Sequence, residues 1–208
     1  MVLAVIAILA GLLLPALSRA KAAAVGTACR NNLRQMGVAT ATYAGDAGRF
    51  PSMLEWLYER NGAANLTSGQ LYPYAKSKAV YLCPSDVPKA RPRPGLIAPD
   101  RDHSYAMNCR MCHAHDVSGC VAPTLTAYFV EATNLAPNPT GASVTPPGDT
   151  FGPFSSSGGQ IAVRHSARTH LLMVDTHVER KKPKQLPISF DRRLWMPNDT
   201  PATFGGGL

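Results

Sequence analysis

The stretch richest in reactive side chains is Cys109-Arg110-Met111-Cys112-His113, followed by His115 and Cys120. C-x-x-C-H is the attachment pattern of c-type haem, in which two thiols add across the vinyl groups and the adjacent His ligates the iron. His115, His103 or Met107 would then be the second axial ligand. The same residues suit two other chemistries. Three Cys within residues 109–120 can close a short disulfide in an oxidising compartment, or hold zinc through Cys109, Cys112, Cys120 and one His. A haem needs an apolar enclosure, whereas Arg110, Ala114, Asp116, Ser118 and Gly119 are small or polar. The order of preference is therefore disulfide, metal, haem, with no resident cofactor expected and haem c or a metal ion kept as the alternative.

A second group is His165, Asp175 and His177. On a strand, Asp175 and His177 are two apart and share a face, and His165 can approach across a hairpin. No serine-nucleophile motif, phosphate-binding glycine loop or zinc-protease helix accompanies them, so the expected role is a hydrogen bond that fixes the hairpin, in a chain that is not an enzyme. Cys83-Pro84-Ser85-Asp86 reads as a turn. Asp86, Asp100 and Asp102 are carboxylates of the kind that bind calcium, but their spacing defines no ligand set.

The elements that position these residues follow from composition and periodicity. The chain has 208 residues, 22.2 kDa, 17 Gly and 18 Pro, a formal charge of +8 and a pI near 9.5. Hydrophobic residues at 45% suffice for a core and argue against wholesale disorder, while the Gly and Pro content implies much loop. A single long apolar stretch excludes a multi-span transporter, and five Cys are too sparse for a disulfide mini-scaffold. The basic residues are dispersed over the first helix, residues 87–101, Lys181-Lys182-Lys184 and Arg192-Arg193, which reads as a solvated surface and makes DNA an unexpected partner.

From Val2 to Leu17 no residue is charged or polar. Sixteen residues at about 1.5 Å each span roughly 24 Å, a marginal membrane crossing. A cleaved signal peptide would carry a basic region before the run and a processed start after it, and a buried core helix would present some polar face. Instead Ser18–Ala44 continues as a helix, with an apolar stripe at Val25, Cys29, Leu33, Met36, Thr40 and Tyr43 and with Arg19, Lys21, Arg30 and Arg34 off the stripe. Gly45-Asp46-Ala47-Gly48 ends it. The expected organisation is a hydrophobic membrane segment over residues 1–17, an amphipathic continuation over 18–46, and an α+β domain over 47–208.

The strings VIAILAGLLLPALSRAKAAA and CRNNLRQMGVATATYAGDAGRFP resemble the N-terminal helix of type IV pilin-like proteins, specifically type II secretion pseudopilins. Three further blocks in order extend the resemblance over residue 2 to about 180: Cys83-Pro84-Ser85-Asp86, Ser104-Tyr105-Ala106-Met107-Asn108, and His165 with Asp175-Thr176-His177-Val178-Glu179, similar to an H-x9-D-G segment. The resemblance implies a filament subunit anchored by Val5, Ile8, Leu9, Leu12, Leu13, Leu14 and Pro15, assembling with itself and related subunits and served by secretion or pilus machinery. It places the helix in the cytoplasmic membrane and the domain in the periplasm or outside the cell. The positive-inside rule, applied to Arg19 and Lys21 alone, gives the opposite orientation. Met1 falls inside the apolar run, and the family's leader, its cleavage-site Gly and its Phe-Thr-Leu-Ile-Glu start are not in this sequence, so the resemblance implies either a start codon placed too late or a truncated fragment. Thr176 stands where the family has Gly, which puts the geometry of that turn in question because a β-branched residue tolerates positive φ poorly.

The body reads as a short helix over Ser52–Arg60 and strands over Val80–Leu82, Ser104–Met107, Thr124–Glu131, Gln160–Val163, Leu171–Asp175 and His177–Arg180. The fold class expected is α+β, pilin-like, with the long helix packed on a small antiparallel sheet and long loops over 87–101 and 132–159. Cys29 and Cys83 are each expected to be buried, with pairing to each other the next reading.

Overall fold

Helix α1 (Val2–Ala47) runs 46 residues without interruption, about 69 Å of rod at 1.5 Å per residue, with Pro15 accommodated inside it. The computed structural model describes residues 2–52, 55–59, 65–86, 103–108, 111, 116–133, 150–151 and 160–182. The two halves of α1 differ as the sequence predicts. Residues 2–24 are all exposed, while Cys29, Leu33, Met36, Gly37, Ala39, Thr40 and Ala44 are buried against the body. Val25 and Tyr43 are half-buried, and Arg19, Lys21, Arg30 and Arg34 are exposed off the stripe. The helix ends at Gly48, whose φ of 69° lets its N–H donate back to the Ala44 carbonyl at 2.9 Å.

The sheet is built from β1 (Tyr105–Asn108), β2 (Ala127–Thr133), β3 (Thr150–Phe151), β4 (Gln160–Ile161), β5 (Thr169–Met173) and β6 (Val178–Lys181), in the order β3-β1-β2-β5-β6 with β4 also paired to β2. Its antiparallel centre is β1, β2, β5 and β6. Two short pieces flank it. β4 is antiparallel to β2, and β3 is parallel to β1. The arrangement is the expected α+β, except that β3 was not foreseen and departs from an all-antiparallel sheet. Two residues are too few for a periodicity to show.

Two further expectations are corrected. Val80–Leu82 is not a strand: Lys78–Tyr81 forms a 3-10 turn, because Asn32 on α1 caps this segment by donating to the Ala79 and Leu82 carbonyls at 3.1 and 2.7 Å. Of Ser52–Arg60, the described residues form a turn rather than a helix, with Glu55 and Trp56 both donating to the Ser52 carbonyl. Trp56 instead fills the core between Phe129 and Tyr81, at ring separations of 4.8 and 6.4 Å. Residues 87–101 and most of 132–159 lie outside the described residues.

α1 lies so close to the sheet that Gly37 has no room for a side chain. A Cβ there would come within 2.9 Å of the Leu172 side chain and 3.2 Å of Thr176. Thr176 itself has φ of 77°, which answers the question its sequence raised: the turn keeps the glycine-type conformation and the threonine is held in it. A non-glycine residue in that region costs on the order of 1–2 kcal/mol. Thr176→Gly is therefore expected to raise the unfolding midpoint by about 2–4 °C, measured by thermal melting monitored by circular dichroism, whereas an unchanged or lower midpoint would show that the turn is unstrained.

Candidate functional site

Four of the sequence blocks meet where α1 crosses the sheet. Cys29 on α1 and Cys83 in the turn before β1 form a disulfide, with a Cα separation of 4.8 Å, and both are buried. Burial and pairing were separate readings of these residues; both hold. The Tyr105 hydroxyl donates to the Cys29 carbonyl at 3.3 Å, and the Ser104 hydroxyl accepts from the Cys83 N–H at 3.0 Å. The turn predicted over Cys83–Asp86 is present, closed by Asp86 N–H donating to the Cys83 carbonyl at 2.7 Å. Asp86 is ion-paired with Arg164 at 2.8 Å, both side chains nearly buried, and Arg164 also donates to the Ala132 carbonyl at 2.6 Å.

Beside the disulfide sits a buried carboxylate. Glu131 lies on β2, which has β1 on one side and β5 on the other. Its Oε1 is 2.8 Å from His165 Nε2 and 3.1 Å from His170 Nδ1, and its Oε2 accepts the His170 backbone N–H at 3.2 Å. His165 Nε2 is also 3.4 Å from Cys83 Sγ, and its Nδ1 is 3.5 Å from the Ser85 hydroxyl. With the proton on Nε2, His165 donates to Glu131 and accepts from Ser85. The turn that delivers His165 has Ser166 and Ala167 both at positive φ, and His165 N–H donates to the Arg168 carbonyl across it. Burial alone pushes the Glu131 carboxyl up. The hydrogen bonds and charges of His165 and His170 outweigh it and hold the group below its ordinary 4.5.

His165 was expected to join Asp175 and His177, and it does not. Its polar contacts run to Glu131, Cys83 and Ser85. The β5–β6 turn keeps Asp175 and His177 to itself: Asp175 Oδ1 accepts the His177 N–H at 3.2 Å and contacts its Nδ1, and His177 Nε2 lies 3.4 Å from Glu179. This is an Asx-type turn that fixes the hairpin, the role predicted for it. The bond between the two regions is structural, from Arg180 to the His165 carbonyl at 2.9 Å.

Cys109, Cys112, His113 and His115 lie outside the described residues, as do Asp100 and Asp102. Cys120 is a half-buried free thiol pushed up by burial, against hydrogen bonds involving Thr126 and Ala122. Met107 is fully buried in the main core, and His103 is buried with its Nδ1 3.3 Å from the Tyr58 hydroxyl. Sequence reasoning missed Glu131 and His170. The signal was a charged residue in the otherwise core-forming run Ala-Tyr-Phe-Val-Glu-Ala, which in a central strand requires buried partners.

A cleft opens beside the cluster, lined by Leu14, Leu17, Arg19, Lys21, Arg30, Arg164, His165 and Arg180 among others, so that basic residues gather where the exposed half of α1 meets the body. The chain matches no known family model, and its comparison with curated proteins and with solved structures finds no match to either.

Two outcomes follow. The disulfide closes a loop of 54 residues, for which chain entropy gives about 4 kcal/mol. Reduction should lower the urea midpoint accordingly; coincident transitions with and without reductant would show that the bridge contributes nothing. Glu131→Gln should cost about 2 kcal/mol near neutrality, since it removes a charged acceptor from two buried rings. Because the folded carboxyl sits below its unfolded value, the stabilisation is present above about pH 4.5 and is lost as pH falls through the folded value. The gap between wild type and variant in denaturant titrations should therefore close on acidification, and a gap constant with pH would contradict this account.

Proposed function

We propose that the chain is a structural subunit of a type II secretion or type IV pilus-like filament, anchored in the cytoplasmic membrane by the first half of α1 and assembled by packing of these helices. The observation that carries this reading is the contrast along α1. The one long helix among the described residues that is apolar enough to cross a membrane has no part of that window buried against its own chain. Val5, Ile8, Leu9, Leu12, Leu13 and Leu14 are each more than half exposed, a surface that water penalises and that lipid or neighbouring helices would cover. Small residues at Ala4, Ala7, Ala10 and Gly11 permit close helix approach, and nothing within 4 Å would meet a Cβ at Gly11.

Three features support the details. Arg19 and Lys21 follow the apolar run directly and border the basic cleft, at the level where phosphate headgroups would lie. The buried disulfide suits a domain exported to an oxidising compartment, which favours the orientation implied by the family resemblance. The blocks carrying that resemblance, Cys29 with Asn32, Cys83–Asp86, Ser104–Tyr105 and His165, also converge on the joint between rod and body. The role is structural: α1 holds the subunit in place and the body presents its surface.

Leu13→Arg tests the anchor without touching the body. A charged residue costs up to about 3 kcal/mol at the centre of a span and less toward an end; Leu13 lies about 5 Å from the midpoint of residues 2–17, so partitioning should fall on the order of tenfold or more. The variant should leave the carbonate-resistant membrane fraction while keeping the wild-type disulfide, and retention in that fraction would overturn the reading.

A further inference from the structure

We propose that, once the Cys29–Cys83 disulfide is opened, the buried cluster beneath α1 becomes a four-ligand site for a single zinc-class divalent cation, held by Cys29 Sγ, Cys83 Sγ, His165 Nε2 and Glu131 Oε1. One ligand atom from each of these four residues lies within 4.8 Å of the other three, and all four residues are buried. A tetrahedral centre with bonds of about 2.0–2.3 Å sets its ligands about 3.3–3.8 Å apart, so only small side-chain adjustments separate the cluster from a closed coordination shell. Two thiolates, one imidazole and one carboxylate form a donor set for zinc rather than for calcium or magnesium.

The surrounding groups are those a metal site requires. Glu131 Oε2 is held by the His170 backbone N–H, and Ser85 faces the far nitrogen of His165 at 3.5 Å. Coordination through Nε2 moves the imidazole proton to Nδ1, where it donates to Ser85. The adjoining cleft, lined by Gly26, Ser85, His165 and His170, gives a route of approach. Gly26 has no side chain to block it; a Cβ there would sit 3.4 Å from His165 Nδ1.

The step balances with a dithiol as reductant. The dithiol supplies two electrons and two protons, becoming a cyclic disulfide while the Cys29–Cys83 bond breaks to two thiols; the cation then displaces both thiol protons. Before oxidation in the exported compartment, the same cation would hold the two cysteines in register for pairing. The site is thus a metal centre in the reduced chain and a crosslink in the oxidised one, whether or not the chain forms filaments.

The test uses the detergent-solubilised full chain carrying Cys109→Ser, Cys112→Ser and Cys120→Ser, titrated with Co2+ after reduction by a phosphine, which takes up the oxygen of one water as it becomes the phosphine oxide and leaves the same two thiols. The expected result is one equivalent bound, with thiolate-to-cobalt bands in the near ultraviolet, strong tetrahedral bands in the red, and displacement by one equivalent of Zn2+. H165Q and E131Q should each weaken binding at least tenfold, and the oxidised protein should show none of these bands. If reduction loosens the fold, one equivalent of Zn2+ should restore the circular dichroism and tryptophan fluorescence of the oxidised protein. Failure to restore them, octahedral cobalt spectra, or equal binding after further C29S and C83S substitution would overturn the proposal. So would metal binding that appears only when Cys109, Cys112 and Cys120 are present.

Discussion

Everything in this chain depends on one joint, the crossing of α1 over the sheet at Cys29. The rod extends about 40 Å beyond that point and residues 2–24 of it are exposed, so any lateral force on the outer half acts on a lever whose fulcrum is the packing of Cys29 through Ala44. Packing already opposes a slide by one turn, which would bring Leu33 or Ala41 to the place of Gly37 against the Leu172 side chain. The covalent bond at the outer edge of the packed segment adds a restraint that does not depend on that fit. The Tyr105 and Asn32 hydrogen bonds to and from α1 fix its rotation about the same point.

The carboxylate beside the joint serves a different purpose. Burying Glu131 loses hydration that must be replaced bond for bond, and both oxygens are occupied, by His165, His170 and a backbone N–H. An apolar residue there would pack at least as well. What the carboxylate adds is register: β2 pairs Val130 with Leu171, so the next step sets Glu131 against His170, and a one-residue slip would move the charge to the opposite face and strand both rings. It also draws the His165 loop onto the Cys83 turn, where Arg164 and Asp86 close the contact. Three segments distant in sequence are thereby held to a single alignment.

Periodicity made much of this legible. The four-and-three spacing from Val25 to Tyr43 identifies the packed face of α1, and five of the six expected strands appear, each shifted by a residue or a few. What failed had a physical reason. Val80–Leu82 has the residues of a strand, but Asn32 competes for its carbonyls and winds it into a 3-10 turn. β3 is too short to carry a pattern. The candidate site is half visible: His165 and Cys83 stand out by residue type, while Glu131 reads as the last residue of a strand and His170 falls just before one. Their partnership depends on strand order, which places β2 beside β5 across some forty residues of sequence, and no local pattern encodes that.

For the proposed membrane anchor two rules of thumb about orientation disagree, and their energies favour one. Arg19 and Lys21 alone argue for a cytoplasmic body by the positive-inside rule, but each basic residue near a charged surface contributes only about 1 kcal/mol, and the rule compares both flanks of a span. A disulfide between buried cysteines makes a stronger demand. The thiol-reducing cytosol keeps such pairs open, and the roughly 4 kcal/mol that a 54-residue loop closure contributes would be missing from the joint on which the rod depends. An exported body gains that bond, and its two basic residues find phosphate at either face of a bilayer. On these magnitudes the proposed outward-facing domain is the arrangement in which the joint at Cys29 holds.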